Sequence, residues 1–358
     1  MKKPNKILIV DFNGTSPTYT HYFSLALEDK GYELNILGHK NTMDLEVHNK
    51  TLNYVGFKLR NKLVNYLCNW VFLIVNAKSY NVIHIQWLPF LKHSVLDLWG
   101  IYVLKNRNRN IFYTVHNLYP HDETKEKTKR RFNKLYDMLE NIVVHTNTTT
   151  ENLRKLGYNR NIIEIKHGLF YKGLNKKNGS ISNKMVMLGR ICEYKGYEEA
   201  LRALKVLIDE GANFSLHIEG AGSFNYVLKL ESLIKELNIE DRVILKYGYI
   251  DTSRLIELYC DAFVALMPYK EIDQSGVVFT AFGLNIPVVA NNVGGLKDIV
   301  QDKVNGRLVE QGNLREFVES IKWVYNNQTD LKNELLKNEY SHLWQQSADI
   351  LSKYYNKI

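Results

Sequence analysis

Short apolar runs alternate with longer amphipathic stretches along the chain. Residues 6–10 (KILIV), 33–37, 82–86, 111–116 and 142–145 are four to six residues long, and they are rich in Val, Ile or Tyr. That is the signature of buried strands. Helical spacing fills the gaps, as in residues 19–30 (YTHYFSLALEDK), which end at Gly31. Strand and helix in alternation predict parallel strands with crossover helices, a doubly wound sheet. A Gly, Lys and Asn-rich stretch, residues 168–182, then reads as a linker. Beyond it the pattern restarts, with strands at 185–188, 215–219, 243–246, 262–267 and 288–291 and helices at 197–209, 226–237, 253–259 and 277–283. The expected fold class is α/β: two Rossmann-like doubly wound domains, 1–170 and 171–338, facing across a cleft. Residues 339–358 carry a helical stripe (Leu343, Trp344, Ala348, Leu351, Tyr354, Tyr355) expected to return to the first domain. Ligands of such sheets sit at the carboxyl ends of the strands.

A chain of 358 residues, 45% hydrophobic and 24% charged, fits two globular domains. The apolar run at residues 7–10 is too short for a signal peptide. No stretch reaches the roughly 18 apolar residues that a membrane-spanning helix needs. Cys68, Cys192 and Cys260 are scattered and odd in number, which fits a reducing cytoplasm and argues against a disulfide framework or a zinc site. Charge is uneven: residues 1–175 hold 25 Lys and Arg against 14 Asp and Glu, and the remainder is slightly acidic. A basic first half points to a polyanion, or it is simply a solvated surface.

Candidate chemistry concentrates in the second half. In MLGRICEYKG, residues 187–196, a strand runs out at Gly189, and Arg190 and Lys195 stand in the loop before a helix. Two cations and a helix N-terminus suit a diphosphate. In PYKEIDQSGVVFTAFGLNIPVVANNVGG, residues 268–295, Gln274, Ser275 and Gly276 precede an apolar helix. Amides of Ser275, Gly276 and Val277 at that helix start would face an anion. Glu271, just upstream, could accept bonds from sugar hydroxyls.

Taken in order, GRICEYKG, LHIEGAGS, YGYID, the PYKEIDQSG–PVVANNVGG block and VNGRLVE resemble GT-B glycosyltransferases of the family 4 type, in the subgroup with a Gln-Ser-Gly loop. The resemblance is strong over residues 183–310 and weaker over the first half. It implies that Arg190 and Lys195 bind the donor diphosphate, that Glu271 contacts the transferred sugar, and that Gln274, Ser275, Gly276 and Val277 support sugar or phosphate. It also implies retaining transfer without a metal or other cofactor. The sequence departs from the family at two places: Thr280 stands where many members carry a ribose-binding glutamate, and Ile272 stands at the usual first glutamate, which makes Glu271 an offset match.

In the first half, YTVHNLYPHD places His116 at a strand end, and it resembles the family histidine that reaches the donor sugar. His121 and Asp122 could orient the acceptor, or serve as a general base were the reaction inverting. A metal held by His116 and His121 lacks further ligands at useful spacing. Gly14, after the first strand, would let backbone approach a ligand, and His167 with Gly168 could hinge the cleft. The apolar segment 57–78, with Lys58, Arg60 and Lys62 at one end, and the basic segment 125–134 (KEKTKRRFNK) together suit anionic lipid headgroups. The expected protein is a cytoplasmic glycosyltransferase, peripheral on the inner membrane face, that passes a sugar from a nucleotide diphosphate sugar to a saccharide or lipid-linked acceptor in surface polysaccharide synthesis. The rival classes are a nucleotide-sugar epimerase and a basic nucleic-acid-binding protein. The second lacks the modules that nucleic-acid readers use.

Overall fold

The computed structural model of the protein describes residues 5–12, 14, 16–38, 52–120, 125–175, 182–273, 275–337 and 342–356. It divides into two compact units, residues 1–168 with 342–358 and residues 169–341.

Unit one runs β1 (Lys6–Asp11), α1 (Pro17–Glu28), β2 (Glu33–Gly38), β3 (Asn53–Val55), α2 (Lys62–Asn76), β4 (Val82–Trp87), α3 (Leu96–Lys105), β5 (Ile111–Thr114), α4 (Glu126–Met138), β6 (Asn141–Val144), α5 (Asn147–Lys155) and β7 (Asn161–Glu164). The seven parallel strands are ordered β3-β2-β1-β4-β5-β6-β7, so the winding reverses between β1 and β4. A parallel sheet covered on both faces needs strands without a polar side. In β1, Ile7, Leu8, Ile9 and Val10 are all fully buried. At its end the Asp11 carboxylate accepts from the Thr20 hydroxyl at 3.1 Å and the Ser16 amide at 3.4 Å, which ties the strand to the start of α1.

Unit two runs β8 (Lys184–Leu188), α6 (Tyr197–Asp209), β9 (Ser215–Gly220), α7 (Phe224–Glu236), β10 (Val243–Tyr247), α8 (Thr252–Cys260), β11 (Val264–Met267), α9 (Gly276–Gly283), β12 (Val288–Asn291), α10 (Leu296–Ile299), β13 (Gly306–Val309), α11 (Leu314–Asn326) and α12 (Gln328–Leu336). Its six parallel strands are ordered β10-β9-β8-β11-β12-β13, and the winding reverses between β8 and β11. Two doubly wound α/β domains are therefore present, as the pattern predicts.

The expected linker needs correction. Residues 176–181 lie outside the described residues, but Leu169, Phe170 and Tyr171 are buried. The Phe170 amide donates to the Phe279 carbonyl at 3.3 Å, and the Asn175 side chain donates to the Leu284 carbonyl at 2.6 Å. The Leu-Phe-Tyr triplet straps α9, and the polar residues after it mask that role in the sequence.

The last helix, α13 (Leu343–Tyr355), packs on α1. Trp344 meets Tyr19 edge-on at 5.3 Å, and the Tyr355 hydroxyl bonds the buried His84 ring. Among the described residues no helix is long and apolar enough to cross a membrane.

Candidate functional site

In unit two the site grows out of the reversal between β8 and β11, where neighbouring connections leave in opposite directions and open a crevice. The chain leaves β8 through Gly189, whose φ of +102° is one that residues with a side chain rarely adopt. It continues alongside the extension of β9: the Gly189 amide donates to Glu219 at 3.0 Å and the Ile191 amide to Ala221 at 2.9 Å. This approach is close enough that a Cβ on Gly220 would lie 1.6 Å from the Gly189 carbonyl oxygen. A 3-10 turn, Glu193–Lys195, then leads into α6.

The turn aims Lys195 inward. The residue is 5% exposed, and its Nζ lies over the Tyr269 ring, 5.4 Å from the centroid. A Cβ built on Gly189 would stand 3.5 Å from that Nζ and 3.9 Å from the Val277 Cγ2. The loop after β8, Lys195 and the first residues of α9 thus converge on one point. Among the described residues no carboxylate forms an ion pair with Lys195. Burial lowers its pKa to about 8, and the neighbouring Arg190 adds to the lowering while Cys192 opposes it. Arg190 itself is exposed, at the mouth. Beside it an open cleft of about 410 Å³ runs along Gly189, Arg190, Gly220, Gly222, Tyr249 and Ile250.

Ser275 is the N-cap residue of α9 and is buried, with no side-chain bond to the helix amides. The first amides of the helix, which have no partner one turn back, are therefore not capped by this hydroxyl. Gly276 is exposed and Val277 partly so, both at that helix start. Gln274 lies outside the described residues. The Thr280 side chain does not reach outward: it is buried, and its hydroxyl donates to the Gly276 carbonyl at 3.0 Å, one turn back. Glu271 is exposed, whereas Ile272 is buried beneath Gly294 and Gly295, the Gly295 amide donating to its carbonyl at 3.0 Å. The carboxylate offset seen in the sequence therefore has a packing reason: position 272 faces the interior. Glu219 is engaged within the sheet, 2.8 Å from His217 and 3.7 Å from Arg254.

In unit one His116 follows β5. Its ring stacks on Trp87 at 4.5 Å with 6° between planes, and its Nε2 lies 3.2 Å from Gln86 Oε1. Tyr19 meets His116, His145 and His167 edge-on at 4.7, 5.4 and 5.2 Å. Burial, and then the neighbouring imidazoles, hold His116 and His167 well below the usual histidine range. Burial brings His145 down to about 4, with its bond to Ile165 opposing. The sequence reading singled out His116 and His167 and missed His145, Trp87 and Tyr19. The available signal was topological, because His116 and His145 end neighbouring parallel strands. Gly14, with φ +58°, closes a turn onto Asp11. Gly168 is packed in place: a Cβ there would lie 2.2 Å from the Trp344 indole. His121 and Asp122 lie outside the described residues.

Residues 174–342 match the glycosyl transferases group 1 family. An uncharacterised glycosyltransferase of Haemophilus influenzae is 30% identical over 172 residues, 46% of this chain and 47% of that protein. The capsular polysaccharide biosynthesis glycosyltransferase CapM of Staphylococcus aureus is 26% identical over 148 residues, 40% of this chain and 36% of its own. The chain spans less than half the length of these curated relatives. Over nearly its whole length it resembles the structure of Anabaena HepE in complex with UDP, with a TM-score of 0.69, 16% identity, and coverage of 99% of this chain and 100% of that one. The chain has the GT-B fold, and its second unit, where the buried Lys195 sits, is the part similar to group 1 glycosyl transferases.

Proposed function

We propose that the protein is a glycosyltransferase of the family 4 type, with the Gln-Ser-Gly loop. It takes a sugar from a nucleotide diphosphate and delivers it to a saccharide or lipid-linked acceptor during surface polysaccharide synthesis. The observation that carries this reading is the buried Lys195 ammonium, without a carboxylate partner among the described residues, beside Gly189 and the start of α9. A buried cation in an aromatic niche, next to unpaired helix amides, is completed by an anion. The diphosphate would meet Lys195, Arg190 and the amides of Ser275, Gly276 and Val277, and the nucleoside would extend along the cleft by Tyr249 and Ile250. The family match and the likeness to HepE, solved with UDP, support the same assignment.

In the reaction the bond between the anomeric carbon and the β-phosphate oxygen breaks, and the acceptor oxygen bonds that carbon. Negative charge grows on the departing diphosphate, and fixed cations and amides lower its energy. No metal is needed for this. In the retaining course the acceptor attacks from the face the diphosphate leaves, and its proton passes to a phosphate oxygen. Glu271 holds sugar hydroxyls, and His116 takes the part that its resemblance to the family histidine implies. The setting is the cytoplasmic side of an anionic membrane.

Calorimetry against UDP, GDP and ADP and their sugars tests this. One of them should bind, and Arg190→Ala and Lys195→Ala should each weaken the bare diphosphate by ten- to a hundredfold, roughly what charge-assisted bonds contribute. Unchanged affinity in both variants would remove the phosphate site. Glu271→Ala should spare nucleotide binding and slow transfer; equal turnover would dismiss its role.

A further inference from the structure

Helix α2 is apolar on both sides. Tyr66, Trp70 and Leu73 face the core, yet Leu63, Leu67, Val71 and Val75, spaced every four residues, are 50%, 41%, 61% and 68% exposed. Helix α3 packs between α2 and α4, with Gly100 against the Trp70 ring. It turns Val95, Trp99 and Tyr102 outward, each more than 60% exposed. Between α3 and α4 lies an open groove of about 1000 Å³, with Trp99 and Tyr102 on one wall and Lys127, Arg130 and Lys134 on the other. Those three cations are exposed and follow one helical face. At the other border, Lys58, Arg60 and Lys62 surround the start of α2 and are exposed as well.

We propose that the outward faces of α2, α3 and α4 form one docking surface for an anionic phospholipid bilayer. Leu63, Leu67, Val71 and Val75 enter the acyl boundary, Trp99 and Tyr102 lie at headgroup depth, and the two cationic borders meet lipid phosphates. This rests on the membrane-side reading above and adds the face that does the docking. Charge decides the occupant. Apolar helices bordered by cations on both sides would bring like charges together in a pair of identical chains, whereas anionic headgroups neutralise them. Length decides the mode. At 15 residues α2 is about 22 Å long, shorter than the roughly 30 Å hydrocarbon core, so it lies in the interface plane. Trp and Tyr are the side chains favoured at that depth.

The test uses the whole chain and phosphatidylcholine vesicles with or without phosphatidylglycerol. Binding should require phosphatidylglycerol and fall with salt. Trp70 and Trp344 are buried, and Trp87 and Trp323 are half-buried away from these helices, so the exposed Trp99 should carry most of the blue shift in emission on binding, and Trp99→Phe should remove most of it. Joint replacement of Lys127, Arg130 and Lys134 by Gln should weaken partition on the order of a hundredfold. Nucleotide affinity, measured in the same variants, should not change, so loss of vesicle binding leaves the transferase assignment intact. Failure to bind phosphatidylglycerol vesicles, or binding that survives the triple replacement, would overturn the proposal. A blue shift undiminished in Trp99→Phe would overturn it too, as would a solution dimer that Val71→Glu dissociates, which would give the face to a second copy.

Discussion

An ammonium removed from water is costly unless an anion meets it, and Lys195 lives with that cost whenever its site is empty. With its pKa lowered from 10.5 to about 8, the native state holds the proton less tightly than the unfolded chain does. Stability contributed by this group is therefore missing below pH 8 and is recovered as pH rises from about 8 towards 10.5. Lys195→Met should stabilise the protein at neutral pH by on the order of 1–3 kcal/mol while weakening diphosphate binding, read from urea unfolding and calorimetry on one sample. Diphosphate affinity should also fall as pH rises through 8, because the amine loses the charge that attracts the anion, and Lys195→Arg should flatten that dependence. A pH-independent affinity in the parent chain would show that the lysine is remote from the phosphate. The position of Lys195 was legible in GRICEYKG. Its partner Tyr269 was not, because an aromatic residue in a loop shows no sign in sequence of the side chain it will lie beneath. Gln274, His121 and Asp122 fall outside the described residues.

Elements were legible wherever one period governed them. Strands β1 and β8, buried beyond their first residue, the fully buried β11 and the amphipathic α6 show clearly in the pattern, because burial on two faces or on one stripe leaves no other reading. Strand β13 (GRLV) hides an arginine whose guanidinium pairs with Asp302 at 2.7 Å, and β3 is only three residues long, so neither shows an apolar run. The strap at residues 169–175 was obscured differently: part of its anchoring is made by backbone contacts. A Cβ on Gly283 would stand 1.7 Å from the Phe170 carbonyl oxygen. Gly283→Ala should thus destabilise unit two by roughly 2–4 kcal/mol, since rigid backbone rather than a flexible side chain must yield. Gly276→Ala, at the other end of α9, meets only the Phe170 ring edge at 3.6 Å and should change the urea midpoint little. Equal effects of the two would mean that the strap is not held there.

The whole molecule carries an acid weakness in unit one. His84 is lowered to about 3 and His145 to about 4, chiefly by burial, and His116 and His167 are lowered as well. Each binds its proton more readily when unfolded, so stability is complete above about pH 6.5 and drains as pH falls towards 4. Each such histidine contributes about 1.4 kcal/mol per pH unit across that window. Asp97, raised to about 7 by burial, works in the opposite sense, but it is one group against four. Urea midpoints should therefore drop steeply between pH 6.5 and 5, and His145→Gln should soften the drop; midpoints flat across that range would show that the imidazoles are hydrated. Helix α13 supplies Trp344 and Tyr355 to unit one from beyond unit two in the chain, Tyr355 lying edge-on to Phe112 at 4.8 Å. Translation delivers this helix after every residue of unit two has been made. Unit one, synthesised first, is thus completed last, and the seat of Tyr355 stays bare until α13 follows unit two.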